Sequence, residues 1–326
     1  MRREGSPFTG LGAVYSKECA DNLRSSRMLV LTLLVTLTGV GAIAASISEV
    51  KATTEQDPFL FLRLFANSKE GLPSFASLLG ILIPLIAIGL GFDAINSEFN
   101  RRTLSRILSQ PIYRDALLLG KFLAGLTTLA VALCGLWLLL IGGGLLVLGV
   151  PPSGEEVTRA VVFLLVSVAY GGVWLALAIL LSVVFKSAAT SALCGLGLWL
   201  FFAFLWPLLA PMLLQPFIPT DVLMGGGTPE QIMNLINISQ TLSRLSPNTL
   251  FSEVMPSLLN PSQRSVEQML QMQFDPRLAH RAMLGAPLPL RESLLSVWPQ
   301  VTGLFAGAIL VFAGTYIVFQ RQEVRA

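Results

Sequence analysis

Six stretches of this chain contain no Asp, Glu, Lys, Arg or His: Met28–Ile47, Pro73–Phe92, Phe122–Val150, Ala160–Phe185, Ala188–Pro211 and Pro299–Phe319. Each reaches the roughly 20 apolar residues that a helix needs to cross a hydrocarbon layer. Helices are the economical way to cross, because every backbone N–H and C=O is then satisfied within its own segment. Composition agrees: 13% of the 326 residues are charged and mean hydropathy is +0.70. A soluble domain carries about 25% charge. The expected fold is therefore an all-α integral membrane protein with six transmembrane helices. The third and fourth runs exceed the hydrocarbon thickness and should tilt or project. Kinks are expected at Pro84 and Pro207, with the fifth span ending at Pro211.

The distribution of charge sets the orientation. Arg2, Arg3, Lys17, Arg24 and Arg27 precede the first span. Arg101, Arg102, Arg106, Arg114 and Lys121 lie between spans two and three, Lys186 between four and five, and Arg321 and Arg325 in the tail. The opposite short segments hold only Lys51, Arg63, Lys69 and Arg159. Both termini are thus expected in the cytosol. Four regions follow: a cytosolic amphipathic helix over 1–27, spans one to five over 28–211, an extracytoplasmic helical segment over 212–298, and the sixth span with its tail over 299–326. No cleavable leader is expected, since the first apolar run starts late and is long.

Around Leu11–Arg24, Leu11, Tyr15, Cys19 and Leu23 recur every four residues on one helical face, opposite Lys17, Asp21 and Arg24. Such a basic amphipathic helix beside a span lies in the membrane interface. In the outer segment Thr228, Pro229 and Glu230 read as cap, first helical residue and first-turn acid. Ile232, Leu235, Ile236, Ser239 and Leu242 continue one face. Further helices are expected over 248–259 and 262–273, packed on the spans or on an extracytoplasmic partner.

Catalytic groups are scarce. The single histidine, His280, lies in the outer segment, so no Ser-His or Cys-His arrangement can form in the spans. Gly120-Lys121 is followed by Phe122 and preceded at the needed position by Asp115, which fails the phosphate-loop pattern. Cys19, Cys134 and Cys194 are too scattered for a disulfide framework. Spans free of ionisable residues argue against a proton relay. A net charge of +3 gives no reason to expect nucleic acid. Seven of the nine methionines lie between Met212 and Met283. Met269, Met272, His280 and Met283 are the soft-metal candidates, because thioethers suit Cu(I); methionine filling irregular helical packing is the plainer reading.

A carrier without its own ion relay or ATP site borrows energy from a partner, and the polar insert Phe92–Lys121 is the place to receive it. On a helical wheel Phe99, Thr103, Leu104, Ile107 and Leu108 form one arc, and Arg101, Arg102, Ser105 and Arg106 the other; Pro111 ends the helix. This pattern suits docking into a partner's groove or lying on an anionic leaflet. Glu98 and Asp93 favour a protein partner, since acids gain nothing at an anionic surface.

The insert resembles the loop between spans two and three of ABC type-2 permeases, in particular their NosY-like branch. The elements are Phe92-Asp93-Ala94-Ile95, Glu98, Thr103-Leu104, Leu108-Ser109-Gln110-Pro111, Arg114 and Gly120-Lys121, with Lys17-Glu18 before the first span. Arg102 stands where the family has glycine. The resemblance implies a half-transporter of the cytoplasmic membrane with no catalysis or cofactor of its own. It would pair with a second permease subunit and bind separate ATPase subunits that hold ATP and magnesium. The helix near Glu98–Leu108 would be the coupling helix, with Asp93, Arg114 and Pro111 framing it. Lys17 and Glu18 would sit on the interfacial helix, and substrate would move outward. An ion-driven carrier and a non-transporting anchor for an extracytoplasmic partner are the competing functions.

Overall fold

The computed structural model describes residues 8–52, 59–66, 74–100, 112–149, 151–218, 228–261 and 288–321, all helix and connecting turn with no strand among them. Helix α1 (Leu11–Arg24) is followed at Ser25, in extended backbone, by α2 (Ser26–Ala52). Then come α3 (Leu60–Ala66), α4 (Phe75–Gly91), α5 (Asn96–Asn100), α6 (Arg114–Leu148) and α7 (Gly154–Val184). The fifth apolar run forms α8 (Ala188–Leu200), a π-turn (Phe201–Leu205) and α9 (Trp206–Leu214). Helices α10 (Pro229–Ser243), α11 (Pro247–Leu259) and α12 (Leu290–Arg321) complete the order. Among the described residues, five helical segments are long and apolar enough to cross a membrane, or six if α1 and Met28–Gly41, bent by 60°, count as one broken span. The helices α6 and α7, at 35 and 31 residues, are the long ones that the sequence leads one to expect.

Close approach of the helices is set by glycine. A Cβ on Gly39 would lie 2.6 Å from Leu136, so α2 meets α6 there, and one on Gly91 would lie 2.7 Å from Ala178, where α4 meets α7. Gly171 faces Leu129 and Ile83 at the crossing of α7 with α6 and α4. Within the run Gly142–Gly144, only Gly144 is pressed against α3, by Leu64 and Phe61; Gly142 has open space beside it. In a bundle without a hydrophobic driving force between its helices, such small residues allow the van der Waals contact that holds it.

One end of the bundle, at the start of α7, is an aromatic core. Phe65 stacks on Trp137 at 4.3 Å, Trp137 meets Phe163 at 6.0 Å, Phe163 meets Phe251 at 5.5 Å, and Phe251 stacks on Tyr170 at 4.4 Å. Those rings pin α3, which the sequence does not signal, and α11. Two polar hubs hold the same end. Glu156 accepts from Ser153 in a capping box and from the Phe61 N–H at 2.8 Å. Arg159, at 0% exposure, donates to Glu155, to Ser293 Oγ (3.0 Å) and to the carbonyls of Leu288 (2.6 Å) and Ser257 (3.4 Å), beneath the Phe59 ring. The apolar run begins at Ala160, but the helix begins six residues earlier and carries these charges inside.

The outer segment forms the first two of its expected helices, and they pack on the spans. Helices form over Pro229–Ser243, with Thr228 and Gln231 closing a capping box, and over Pro247–Leu259. They are not a separate body. The turn between them reaches the middle of α7, where Asn248 Oδ1 lies 2.6 Å from the Tyr170 hydroxyl, and the middle of the fifth span, where Ser246 Oγ donates to the Phe202 carbonyl at 3.2 Å. Phe251, Val254 and Leu258 are buried in the common core. The third expected helix, 262–273, lies outside the described residues.

The π-turn has a local cause. Proline at 207 has no N–H and its ring clashes with the carbonyl four residues back. A wider turn, in which the Trp206 N–H bonds the Phe201 carbonyl, relieves that clash. The Phe202 carbonyl then has no helical donor, and the Ser246 hydroxyl supplies one. The kink signal at Pro207 thus emerges as a π-turn, and the helix runs through Pro211 to Leu214.

Two glycines make a paired test of this packing. Gly171→Val is expected to destabilise the purified protein by about 1–3 kcal/mol through overpacking. Gly197→Val, with nothing within 4 Å, is expected to leave thermal unfolding in detergent unchanged.

Candidate functional site: an ionic clamp at the polar loop

The other end of the bundle holds the polar insert. Residues 101–111 lie outside the described residues, and with them Arg102, Leu104, Ile107, Leu108 and Pro111. Their flanks are in place. The α4 helix ends at Gly91, a turn follows, and α5 restarts at Asn96. The Ser182 hydroxyl of α7 receives the free N–H groups of Ile95 (2.9 Å) and Asn96 (3.2 Å), capping α5 from a neighbouring span. The Asp93 carbonyl accepts from the Ser97 hydroxyl at 2.6 Å, and Asn100 Nδ2 donates to the Lys186 carbonyl at 2.8 Å. The entry to the loop is thereby fixed to the last turn of α7 and the residues after it. Phe99, on the arc expected to dock, is 41% exposed at the end of α5.

Glu98 points inward. It is 8% exposed and its Oε1 lies 2.7 Å from Lys121 Nζ. Lys121, 6% exposed, also meets Glu18 Oε1 at 2.9 Å. On the solvent side Lys17 pairs with Glu18 (3.0 Å) and Asp21 (3.2 Å). One buried ammonium therefore joins three elements: α1, α5 and α6. A single buried charge would be prohibitive, and two carboxylates sharing one ammonium leave the pair-plus-one to be offset by Lys17. Gly120 makes the geometry possible, because a Cβ there would lie 2.8 Å from Val14 of α1. The Gly-Lys pair thus works as a unit: glycine admits α1, and lysine fastens it. Tyr15 adds a hydrogen bond to Thr127 at 3.1 Å. At the same end Gln320 of α12 donates to Asp115, one residue past Arg114 at the start of α6.

The buried face of α1 is rotated from the expected stripe. Val14 is its buried residue and Glu18 its inward charge, while Leu23 is 54% exposed. A spacing of four drifts around a helix with 3.6 residues per turn, so Leu23 has moved off the face that Leu11 and Tyr15 begin. Lys121 is the residue of the clamp that reading by type passes over. The signal for it was its place beside Gly120, opposite two acids in separate segments. Met269, Met272, His280 and Met283 lie outside the described residues, and among those described no group of His, Cys, Asp and Glu could hold a metal ion. All three cysteines are free.

Burial pushes the Glu18 carboxyl up, and the ammonium groups of Lys121 and Lys17 push it down further, so it ends below its ordinary 4.5. A depressed carboxylate contributes stability that is complete above its ordinary value and lost as pH falls through the lowered one. Protection of the α1 amides, measured against their intrinsic exchange rates, is therefore expected to be high at pH 7 and to drop as pH falls below about 4.5, the ordinary carboxylate range. In Glu18→Gln, α1 should exchange faster at pH 7, with the Glu18 share of the acid response gone.

Comparison with known proteins places this clamp in a family. A profile for ABC-2 family transporter proteins matches residues 12–324. The chain is 34% identical over 240 residues to a probable ABC transporter permease protein NosY of Pseudomonas aeruginosa, covering 68% of this chain and 79% of the relative. Its identity to the protein of the same name from Stutzerimonas stutzeri is 30% over 240 residues, with the same coverage. From Glu18 in α1 to Gln320 near the end of α12, the clamped bundle lies within the matched region, and the chain belongs to the ABC-2 family of transporter proteins.

Proposed function

We propose that this permease is the membrane-spanning half of an ATP-driven exporter in the cytoplasmic membrane. It pairs with a second permease subunit and takes its energy from separate ATPase subunits docked at residues 93–121. The observation that carries this reading is Lys121, held between Glu98 and Glu18. A force applied to the loop enters α5. The clamp passes it to α1 and α6, and Ser182 passes it to α7. Neither a surface ion pair nor a free loop would transmit displacement in that way, because exposed pairs contribute little and rearrange. Phe99 is already exposed toward the docking side, and Leu104, Ile107 and Leu108 extend the same arc by sequence. The chain itself supplies no catalysis; ATP and magnesium belong to the partner, and solute moves outward between the two permease subunits.

Co-purification tests the docking face. Leu104→Asp and Leu108→Asp are expected to release the ATPase from the permease, while membrane insertion continues. Transport that persists with no ATPase present would sink the proposal. The clamp has its own test in the reconstituted complex. Lys121→Met keeps the stem but strands two buried carboxylates, and is expected to leave the ATPase bound while transport falls at least about tenfold, a loss of roughly 1.4 kcal/mol in coupling. Lys121→Arg, which keeps the charge, should restore part of it.

A further inference from the structure

The two halves of the fifth span keep different company. The α8 half packs on α7 and α4, with a Cβ on Gly195 meeting Ile88 at 3.2 Å. The α9 half packs chiefly on α10, and α10 chiefly on α9. Trp206 Nε1 donates to the Leu242 carbonyl at 3.2 Å and fastens the start of α9 to the last turn of α10. By contrast α11 is part of the core, through Phe251, Val254, Leu258 and Leu259. Among the described residues, α9 and α10 therefore keep chiefly to each other, with Ala210 and Leu214 of α9 buried.

Among the described residues this pair joins the bundle at two places, and the first is a weak point of the backbone. One is the π-turn Phe201–Leu205, ahead of Pro207. With Pro211 as well, α9 lacks two helical rungs. The other is the turn Arg244–Ser246 between α10 and α11, a pinned pivot where Arg244 pairs with Glu253 of α11 at 2.8 Å and Gln300 of α12 donates to the same carboxylate at 2.9 Å. The two joints lie side by side, since the Ser246 hydroxyl of one bonds the Phe202 carbonyl of the other. Two adjacent joints on one line define an axis. Leu208, Met212 and Leu213 of α9 and Ile232 and Ile238 of α10 are exposed apolar residues on the pair. Apolar surface slides against lipid or other helices without leaving a polar group stranded.

We infer that α9 and α10 form a hinged flap at the Arg159 end of the bundle. It turns about the axis through Phe202 and Ser246 and opens and closes the solute's way out. This rests on the transport reading above for its role, but not for its motion. The wide turn is the hinge, Trp206 makes the two helices move together, and α11 is the fixed post.

Pulsed dipolar spectroscopy on the full-length permease in lipid nanodiscs tests the motion without any partner. Cys19, Cys134 and Cys194 are replaced by serine, and spin labels are placed by Leu165→Cys on α7 with either Asn237→Cys on α10 or Ser252→Cys on α11. All three labelled positions are exposed. The α10–α7 distances are expected to be broad or two-peaked and the α11–α7 distances a single narrow peak. Pro207→Ala, which restores a helical rung, should narrow the first and leave the second. Equal narrow widths for the two pairs would overturn the flap. In the complex with the ATPase, ATP binding should shift only the α10–α7 distances; an unmoved flap during ATP hydrolysis would overturn its gating role. An ATPase that does not bind at all defeats the transport reading instead, and the nanodisc comparison still decides the flap.

Discussion

A lysine with 6% exposure next to an apolar bundle can exist only if its charge is met where it lies. Lys121 is met by Glu98 from one segment and Glu18 from another, both within 3 Å. Most of the architecture at that end follows from this requirement. The α1 helix must come close, so position 120 is glycine. The α5 helix must present Glu98 inward, so its first N–H groups, turned toward α7, need an acceptor there, and Ser182 provides it. The charge-assisted bonds are worth more in this low-dielectric setting than on a surface, and breaking one strands the others. Three elements far apart in sequence thus behave as one piece.

The opposite end answers the same constraint with different chemistry. Arg159 has one carboxylate, Glu155, and otherwise neutral acceptors: two backbone carbonyls and a hydroxyl. Those carbonyls belong to the end of α11 and to Leu288, so a single guanidinium ties the return of the chain to the start of α7. A planar fork of five donors can serve several acceptors at once, which an ammonium cannot. Lysine at the loop end and arginine here fit these tasks: a point charge shared by two acids, and a fork reaching carbonyls on several elements. Because α7 carries Arg159 near its first turn and Ser182 near its last, it spans both polar hubs and touches most of the bundle between them.

The apolar runs made the spans legible, since length and absence of charge are sufficient to mark a helix in lipid. Thr228, Pro229 and Glu230 likewise marked the start of α10. Packing on the spans was one of two outcomes expected for the outer helices, but the particular contacts were not legible. A segment of mixed polarity between two spans reads as lying outside, and nothing local reveals that Phe251 will stack on Tyr170 or that Ser246 will fill a vacancy at Phe202. Arg159 was read only as a charge in a short flanking segment, because a hydropathy run stops at the first charge whereas the helix does not. At the loop, Glu98 and Glu18 were legible through the resemblance. Lys121 was read only as part of a motif, because an ion pair across 103 residues leaves no periodic trace.

Helix breaks inside an apolar bundle are instructive because each orphaned backbone group must be answered. Ser25 breaks the chain before the first span and answers itself, its hydroxyl bonding the Asn22 carbonyl at 2.8 Å and receiving the Met28 N–H at 3.1 Å. The break at Pro207 cannot do so, because no serine lies within reach along the same helix. Its free carbonyl is answered from 44 residues away by Ser246. A self-contained break needs nothing else to move with it. A break completed by another element ties that element's position to its own geometry, so any change in the bend at Phe202 must be felt at Ser246. Long-range completion of this kind converts a local defect into a coupling between two helices, without a charge and without an exposed polar surface.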